Sequence, residues 1–429
     1  MINRRKVLGA AGAGAAAMAL GGLAGCGSDS GQEGSGTIQF WSNHPGTSKE
    51  VEQKIIDAWN AANPDTPANL VDGGANYEEL GQKFNAALAG GDLPDVIVAS
   101  DVTWFNFALN EATTPLDDLW SSNSIDAGTY VDTLREDYAF EGKHYGMPYA
   151  RSTTLMYFNS EVLEKAGFDP AAGPKTWAEF AEMAPKLKTA MGGKPALIVP
   201  DGTNYLDWYF QGMIWTFGGA YSEEWEPTFT KAESIEAGKF LQEQFNLGHI
   251  GITKDASNTF GIGDAAGLLQ STGVLGGLTK SAKFKFVTTY LPGPAPGAAT
   301  GGAGLAIPNG ISDERKTNAV KFIDFMTNVE NTITFTQATG YMPVRKEAVN
   351  DPAEKAFLEK NPNAMTAIKQ LNENTAPQDF ARVLVPGGGN RIGAGLDRIT
   401  IGKEDVTKVF GELAEETTKV YERDIKPLL

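Results

Sequence analysis

The stretch TIQFWSNHPGTSKEVEQKIIDAWNAANPDTPANLVDGGANYEELGQKFNAALAGGDLPDVIVASD, residues 37–101, decides the fold class. Thr37 to Ser42 is a short β-rich run. Val51, Ile55, Ile56 and Trp59 then recur at helical spacing and stop at Asn63-Pro64. The pattern repeats with Asn69 to Val71 extended, Tyr77 to Leu88 helical around Leu80, Phe84 and Leu88, and Asp95 to Ala99 a buried strand. Strand-helix-strand units of this length predict an α/β fold on a parallel sheet. Such sheets take ligands at the carboxyl ends of their strands, here Asn43-His44, Gly73-Gly74 and Ser100-Asp101.

Downstream, Phe140 to Gly146 reads as a hairpin running into Met147-Pro148-Tyr149, and Leu155 to Asn159 as a strand, together a first crossing between two lobes. Helices are expected at 177–188, 206–217, 231–245, 313–326 and 404–423. Strands are expected at 284–290 and 304–308, flanking the turn PGPAPGAATGG. Gly340 to Pro343 marks another crossing. At 429 residues one core is too few. We expect lobe 1 to comprise 37–151 and 283–340 and lobe 2 to comprise 152–282 and 341–429, with a hinge and a central cleft that closes on a small molecule.

The amino terminus sets the compartment. Arg4-Arg5-Lys6 precedes an uncharged Ala/Gly-rich stretch too short and weakly apolar for a comfortable span, so 1–25 reads as an export signal, twin-arginine or general. Leu23-Ala24-Gly25-Cys26 matches a lipobox, and Cys26 is the sole cysteine, which excludes disulfides and thiolate sites in the folded part. The Gly/Ser-rich segment 26–36 is a flexible tether. The expected place is the outer face of the cytoplasmic membrane, held through the lipid alone.

Charge excludes other partners. The net charge is -17, and without Arg4, Arg5 and Lys6 there remain 33 basic against 53 acidic residues, a net of -20. Such a surface repels nucleic acid and anionic lipid. His44, His144 and His249 lie far apart without metal-ligand spacing, and no nucleophile elbow or phosphate loop occurs. No enzyme, metal or cofactor is implied, and a monomer is the expected state.

What remains are binding features. Gly301-Gly302-Ala303-Gly304 could present amides to an anion, Ser271-Thr272-Gly273 offers hydroxyls at a strand end, and Arg382 could pair with a phosphate. Trp104, Tyr205, Trp208, Tyr209 and Trp215 supply rings for stacking, with Tyr205 and Trp208 on one helix face.

Several stretches carry a family resemblance: FWSNHPG from Phe40, QKFNAAL from Gln82, HYGMPYARST from His144, FQGMIWTFGGAYS from Phe210, TGGAGLAIP from Thr300, TGYMPVRKEAV from Thr339 and QDFARVLVPGG from Gln378. They resemble the carbohydrate-class binding proteins of ABC importers, and within them the glycerol-3-phosphate and glycerophosphodiester (glycerophosphocholine) lipoproteins. The resemblance implies a periplasmic-binding-protein-like fold of the maltose-binding type, ABC permease subunits as partners, and ligand contacts at Tyr77, Asp101, Ser152, Trp208, Ser271, Gly302, Tyr341 and Arg382. It gives phosphate to Arg382, Tyr341, Ser152, Ser271 and the Gly302 amide, glycerol hydroxyls or a cationic head group to Asp101, and the carbon skeleton to Trp208 and Tyr77. Tyr205 stands where glycerophosphocholine-type relatives resemble a leucine, and Asn43-His44 where some relatives carry acidic or other polar groups. Neutral oligosaccharides are the alternative ligands, and a phosphodiesterase the weaker one.

Overall fold

The computed structural model describes residues 36–44 and 47–429. The export signal, Cys26 and the tether before residue 36 lie outside the described residues. Strand β1 (Ile38–Ser42), helix α1 (Thr47–Ala62), β2 (Ala68–Asp72), α2 (Tyr77–Gly90) and β3 (Val96–Ser100) follow in order. Helix α1 buries Val51, Ile55, Ile56 and Trp59, the stripe that its spacing predicts. Helix α2 starts where the Asn76 side chain accepts from the Glu79 amide and stops at Gly91 in the left-handed region. Strand β1 pairs in parallel with both β2 and β3.

The remaining strands of the main sheet are β4 (Met147–Asn159), β5 (Leu197–Pro200), β6 (Ile250–Thr253), β7 (Gly267–Ser271), β8 (Phe286–Thr289), β9 (Ala298–Ala306) and β10 (Thr375–Ala376), and two short hairpins, Ala139–Phe140 with Lys143–His144 and Ser222–Glu223 with Glu226–Pro227, lie apart from it. One sheet runs β6-β5-β7-β4-β9-β3-β1-β2, with β8 added to β4 and β10 to β9. It is parallel within β1–β3 and within β5–β7, but β4 runs antiparallel to β7, β8 and β9, and β9 antiparallel to β3 and β4 while parallel to β10. The sheet is therefore mixed, not parallel throughout.

Two expectations change at its centre. The pieces at 147–149 and 155–159 form one strand of 13 residues, all buried, because the polar residues between them are covered as the chain passes from one core to the next. Strand β9 begins at Ala298, inside the stretch read as a turn. Close packing explains the small residues here: a Cβ on Gly302 of the strand would lie 2.0 Å from the Ala150 carbonyl, and just before the strand the Gly297 carbonyl would lie 2.1 Å from a Cβ on Gly212 of helix α3 (Leu206–Thr216). The other expected helices lie at Trp177–Ala190, Ala232–Asn246, Asp313–Met326 and Val406–Val420, the last ending in a π turn at Tyr421–Ile425.

The buried apolar residues divide around the sheet. One cluster gathers residues from Ile38 to Ala150 and from Ala303 to Val344, together with Ile425. Two others take residues between Leu155 and Ala299 and between Ala367 and Leu413. This differs from the expected lobe limits at several places: Tyr341 and Val344, expected in lobe 2, pack with the first body. Phe284, Phe286, Leu291, Ala298 and Ala299 pack with the second body, because β8 pairs with the far end of β4. Tyr421 and Ile425 return to the first.

Candidate functional site

Between the two bodies lies a cavity of about 220 Å³ whose lining includes Tyr77, Asp101, Ser152, Tyr205, Trp208, Ser271, Gly302, Tyr341 and Arg382, all nine residues singled out from the sequence. Several stand at strand ends: Tyr77 opens the helix after β2, Asp101 follows β3 and Ser271 closes β7. Ser152 and Gly302 sit on the two central strands. The rest of the lining includes Asn204, Tyr209, Lys254, Asp255, Ser257 and Gln270. Of these only Tyr209 was among the sequence candidates, although Lys254 and Asp255 directly follow β6, a position that the strand-end rule flags.

Arg382 belongs to α4 (Phe380–Val383), a single turn fixed from both sides. The Asp379 carboxylate before it accepts from the Tyr221 amide at 2.7 Å and from the Trp215 indole at 3.1 Å. The Ala381 amide donates to the Ser222 hydroxyl at 3.0 Å. Burial pushes the Asp379 carboxyl up to about 6. Arg382 is 2% exposed, and its Nε donates to Asp207 Oδ2 at 2.6 Å. Nη1 reaches the Gln378 amide oxygen and lies 3.5 Å from Asp101 Oδ2, while Gln378 donates in turn to Asp101. Nη2 has no partner among the described residues. Burial pushes the Asp207 carboxyl up and the guanidinium opposes it. Arg382 is therefore half of a buried ion pair, not the free countercharge that its sequence context suggests.

Tyr205 joins the two bodies. It holds a left-handed φ of 74°, uncommon for a side chain of this size. Its hydroxyl accepts from the Tyr77 amide at 3.0 Å and donates to Glu78 Oε2 at 3.2 Å, both on the far side of the cavity. Burial pushes the Glu78 carboxyl up, with Asp207 adding to the shift. The Trp208 indole donates to the Thr300 carbonyl at 3.1 Å, and its ring lies so close to Gly301 that a Cβ there would meet it at 2.6 Å. The Tyr341 ring stacks on Phe335 and crowds Gly273 in the same way; burial pushes its phenol up to about 12.

Other candidates are placed differently. Gly301 to Gly304 form a ladder with β4, not an open nest of amides. Trp215 lies away from the cavity on Asp379. Trp104 lines an adjoining, mostly apolar cavity of about 380 Å³ in which only Asp101 of the nine takes part. Of the histidines, only His44 approaches the site, with Nε2 3.2 Å from the Tyr77 hydroxyl; His144 sits on Asp117 and His249 on Gln244. No helix among the described residues is long and apolar enough to cross a membrane.

Residues 54–366 match the family of bacterial extracellular solute-binding proteins. The chain belongs to that family. This solute-binding protein is similar to UgpB of Mycobacterium tuberculosis, solved in complex with glycerophosphocholine, at 45% identity and a TM-score of 0.88, over 91% of this chain and 100% of the other. It is 29% identical to the sn-glycerol-3-phosphate-binding periplasmic protein UgpB of Escherichia coli (strain K12), over 90% of this chain and 93% of the relative. Maltose-bound MalE3 of T. maritima superposes with a TM-score of 0.78 at 21% identity, over 90% of this chain and 99% of the other. The fold is that of the maltose-binding proteins.

Proposed function

We propose that this solute-binding protein captures glycerophosphodiesters such as glycerophosphocholine in the cavity between its two bodies and delivers them to the permease of an ABC importer. The observation that carries the reading is the convergence of the nine residues on one cavity whose formal charges balance. Arg382 and Lys254 face Asp101 and Asp255 there, with Asp207 behind the arginine. A site without surplus positive charge favours the single negative charge of a phosphodiester over the double charge of a phosphomonoester. Nη2 of Arg382, the hydroxyls of Ser152, Ser271 and Tyr341, and the Gly302 backbone take the phosphate. Asp101 takes glycerol hydroxyls or a cationic head group, and the Trp208 ring covers the carbon skeleton. Tyr77 and Tyr205 complete the wall where the bodies meet.

Glycerol-3-phosphate is the second ligand, favoured by the names of the curated relatives, and neutral oligosaccharides find no use for the arginine. Calorimetry with glycerophosphocholine, glycerol-3-phosphate and maltose tests the order. The diester should bind most tightly and maltose not at all. Maltose binding, or a stronger response to the monoester, contradicts the reading.

Cys26 carries the lipid that holds the body at the outer face of the cytoplasmic membrane. Incorporation of labelled fatty acid, and its loss in Cys26→Ser, is the expected result.

A further inference from the structure

Beneath the cavity the first body holds a chain of polar groups outside the nine. Glu52, on α1, is 0% exposed. Its Oε1 accepts from the Ser42 hydroxyl at 3.0 Å and the Tyr149 hydroxyl at 3.2 Å, and faces His44 Nδ1 at 2.8 Å. Its Oε2 has no partner among the described residues. An oxygen that already accepts from two hydroxyls requires a donor from the imidazole, so Nδ1 carries the proton. The far nitrogen, Nε2, lies 3.2 Å from the Tyr77 hydroxyl. Packed rings hold the imidazole in place: its centroid is 5.9 Å from those of Tyr77 and Tyr149 and 5.7 Å from that of Tyr341.

We propose that Glu52 and His44 are positioning residues that commit the Tyr77 hydroxyl to donate inward, to Nε2, so that its oxygen faces the cavity as an acceptor. Three groups then point the same way, from Tyr77 through His44 to Glu52, and each bond strengthens the next. Tyr77 selects a donor on the ligand, a glycerol hydroxyl, and offers nothing to a phosphate oxygen. The identity of that donor rests on the glycerophosphodiester reading; the direction of the hydrogen bond rests on the geometry alone.

The two parts are tested separately on the intact mature protein. Nitrogen-15 spectra read the tautomer, and with only three histidines in the chain the His44→Gln variant assigns the signal. The expected ring has a proton on Nδ1 and none on Nε2. A proton on Nε2, in the other tautomer or in the imidazolium, overturns the proposal. For binding, glycerophosphocholine is compared with propylphosphocholine, which lacks both hydroxyls. Tyr77→Phe should cut the wild-type preference for the hydroxylated ligand about tenfold. His44→Phe should do the same, and the double variant should lose no more than either alone. An unchanged preference in Tyr77→Phe, or a His44→Phe that weakens both ligands equally, overturns the proposal. Failure of the wild type to bind either compound removes the glycerophosphodiester reading instead, and the nitrogen spectrum still decides the direction of the bond.

Discussion

Arg345 and Arg382 are both nearly buried arginines paired with acids, at 7% and 2% exposure, yet they differ in what they leave unused. Arg345 spends every nitrogen on protein: Nε donates to the Thr327 carbonyl, Nη1 to the Thr129 hydroxyl and Nη2 to Asp324, and the guanidinium lies 3.8 Å over the Tyr130 ring. It is a clasp within the first body. Arg382 lines the cavity, is tied through Nε and Nη1 and leaves Nη2 without a partner among the described residues. Burial and pairing alone therefore do not set Arg382 apart from Arg345; what differs between the two is the nitrogen that Arg382 leaves unpaired among the described residues, and the proposed phosphate contact rests on it.

The largest effect expected from this contrast is on binding. Arg382→Ala removes the partner of buried Asp207 as well as the contact to the ligand, at a cost of roughly 3–5 kcal/mol, and calorimetry should detect no glycerophosphocholine binding. Arg345→Ala should lower the melting temperature while the folded fraction keeps its affinity within about threefold. An Arg345→Ala protein that folds and fails to bind would break the comparison.

The anchoring of α4 gives the next effect. A folded pKa of about 6 for Asp379, against an ordinary 3.8, means that the folded chain holds a proton that the unfolded chain has lost across that window. Stability contributed by this group is thus full below about pH 4 and falls as pH rises to 6, by roughly 3 kcal/mol. Denaturant melts of wild type and Asp379→Asn over that range should diverge accordingly, with the flatter profile in the variant.

Selectivity sharpens the contrast further. Asp207→Asn frees the charge of Arg382, so the ratio of glycerol-3-phosphate to glycerophosphocholine affinity should move toward the monoester by about tenfold, equivalent to ~1.4 kcal/mol. The smallest effect is at the seam between the bodies. Tyr205→Phe deletes the hydroxyl shared by the Tyr77 amide and Glu78, and should cost about 1 kcal/mol in thermal stability.

The same contrast explains what was legible in the sequence. Asp101 and Ser271 follow from strand-end placement, because regular strand-helix units announce their own termini. Asp207, the acid that neutralises Arg382, sits in an apolar helix 175 residues away, and no local spacing connects the two. Strand β9 was hidden for a related reason: Gly302 is dictated by the Ala150 carbonyl, which a Cβ would meet at 2.0 Å, and Gly301 by the Trp208 ring, and in the sequence alone the Gly and Ala residues of this strand resemble a turn. His44 showed only as a departure at a strand end, since its acid Glu52 comes from the following helix.

A crystal structure of the complex with glycerophosphocholine tests the central claim most directly. The account places phosphoryl oxygens within hydrogen-bonding distance of Arg382 Nη2 and of the Ser152, Ser271 and Tyr341 hydroxyls. A phosphate seated at the Lys254 rim, with Nη2 of Arg382 still free, would contradict it.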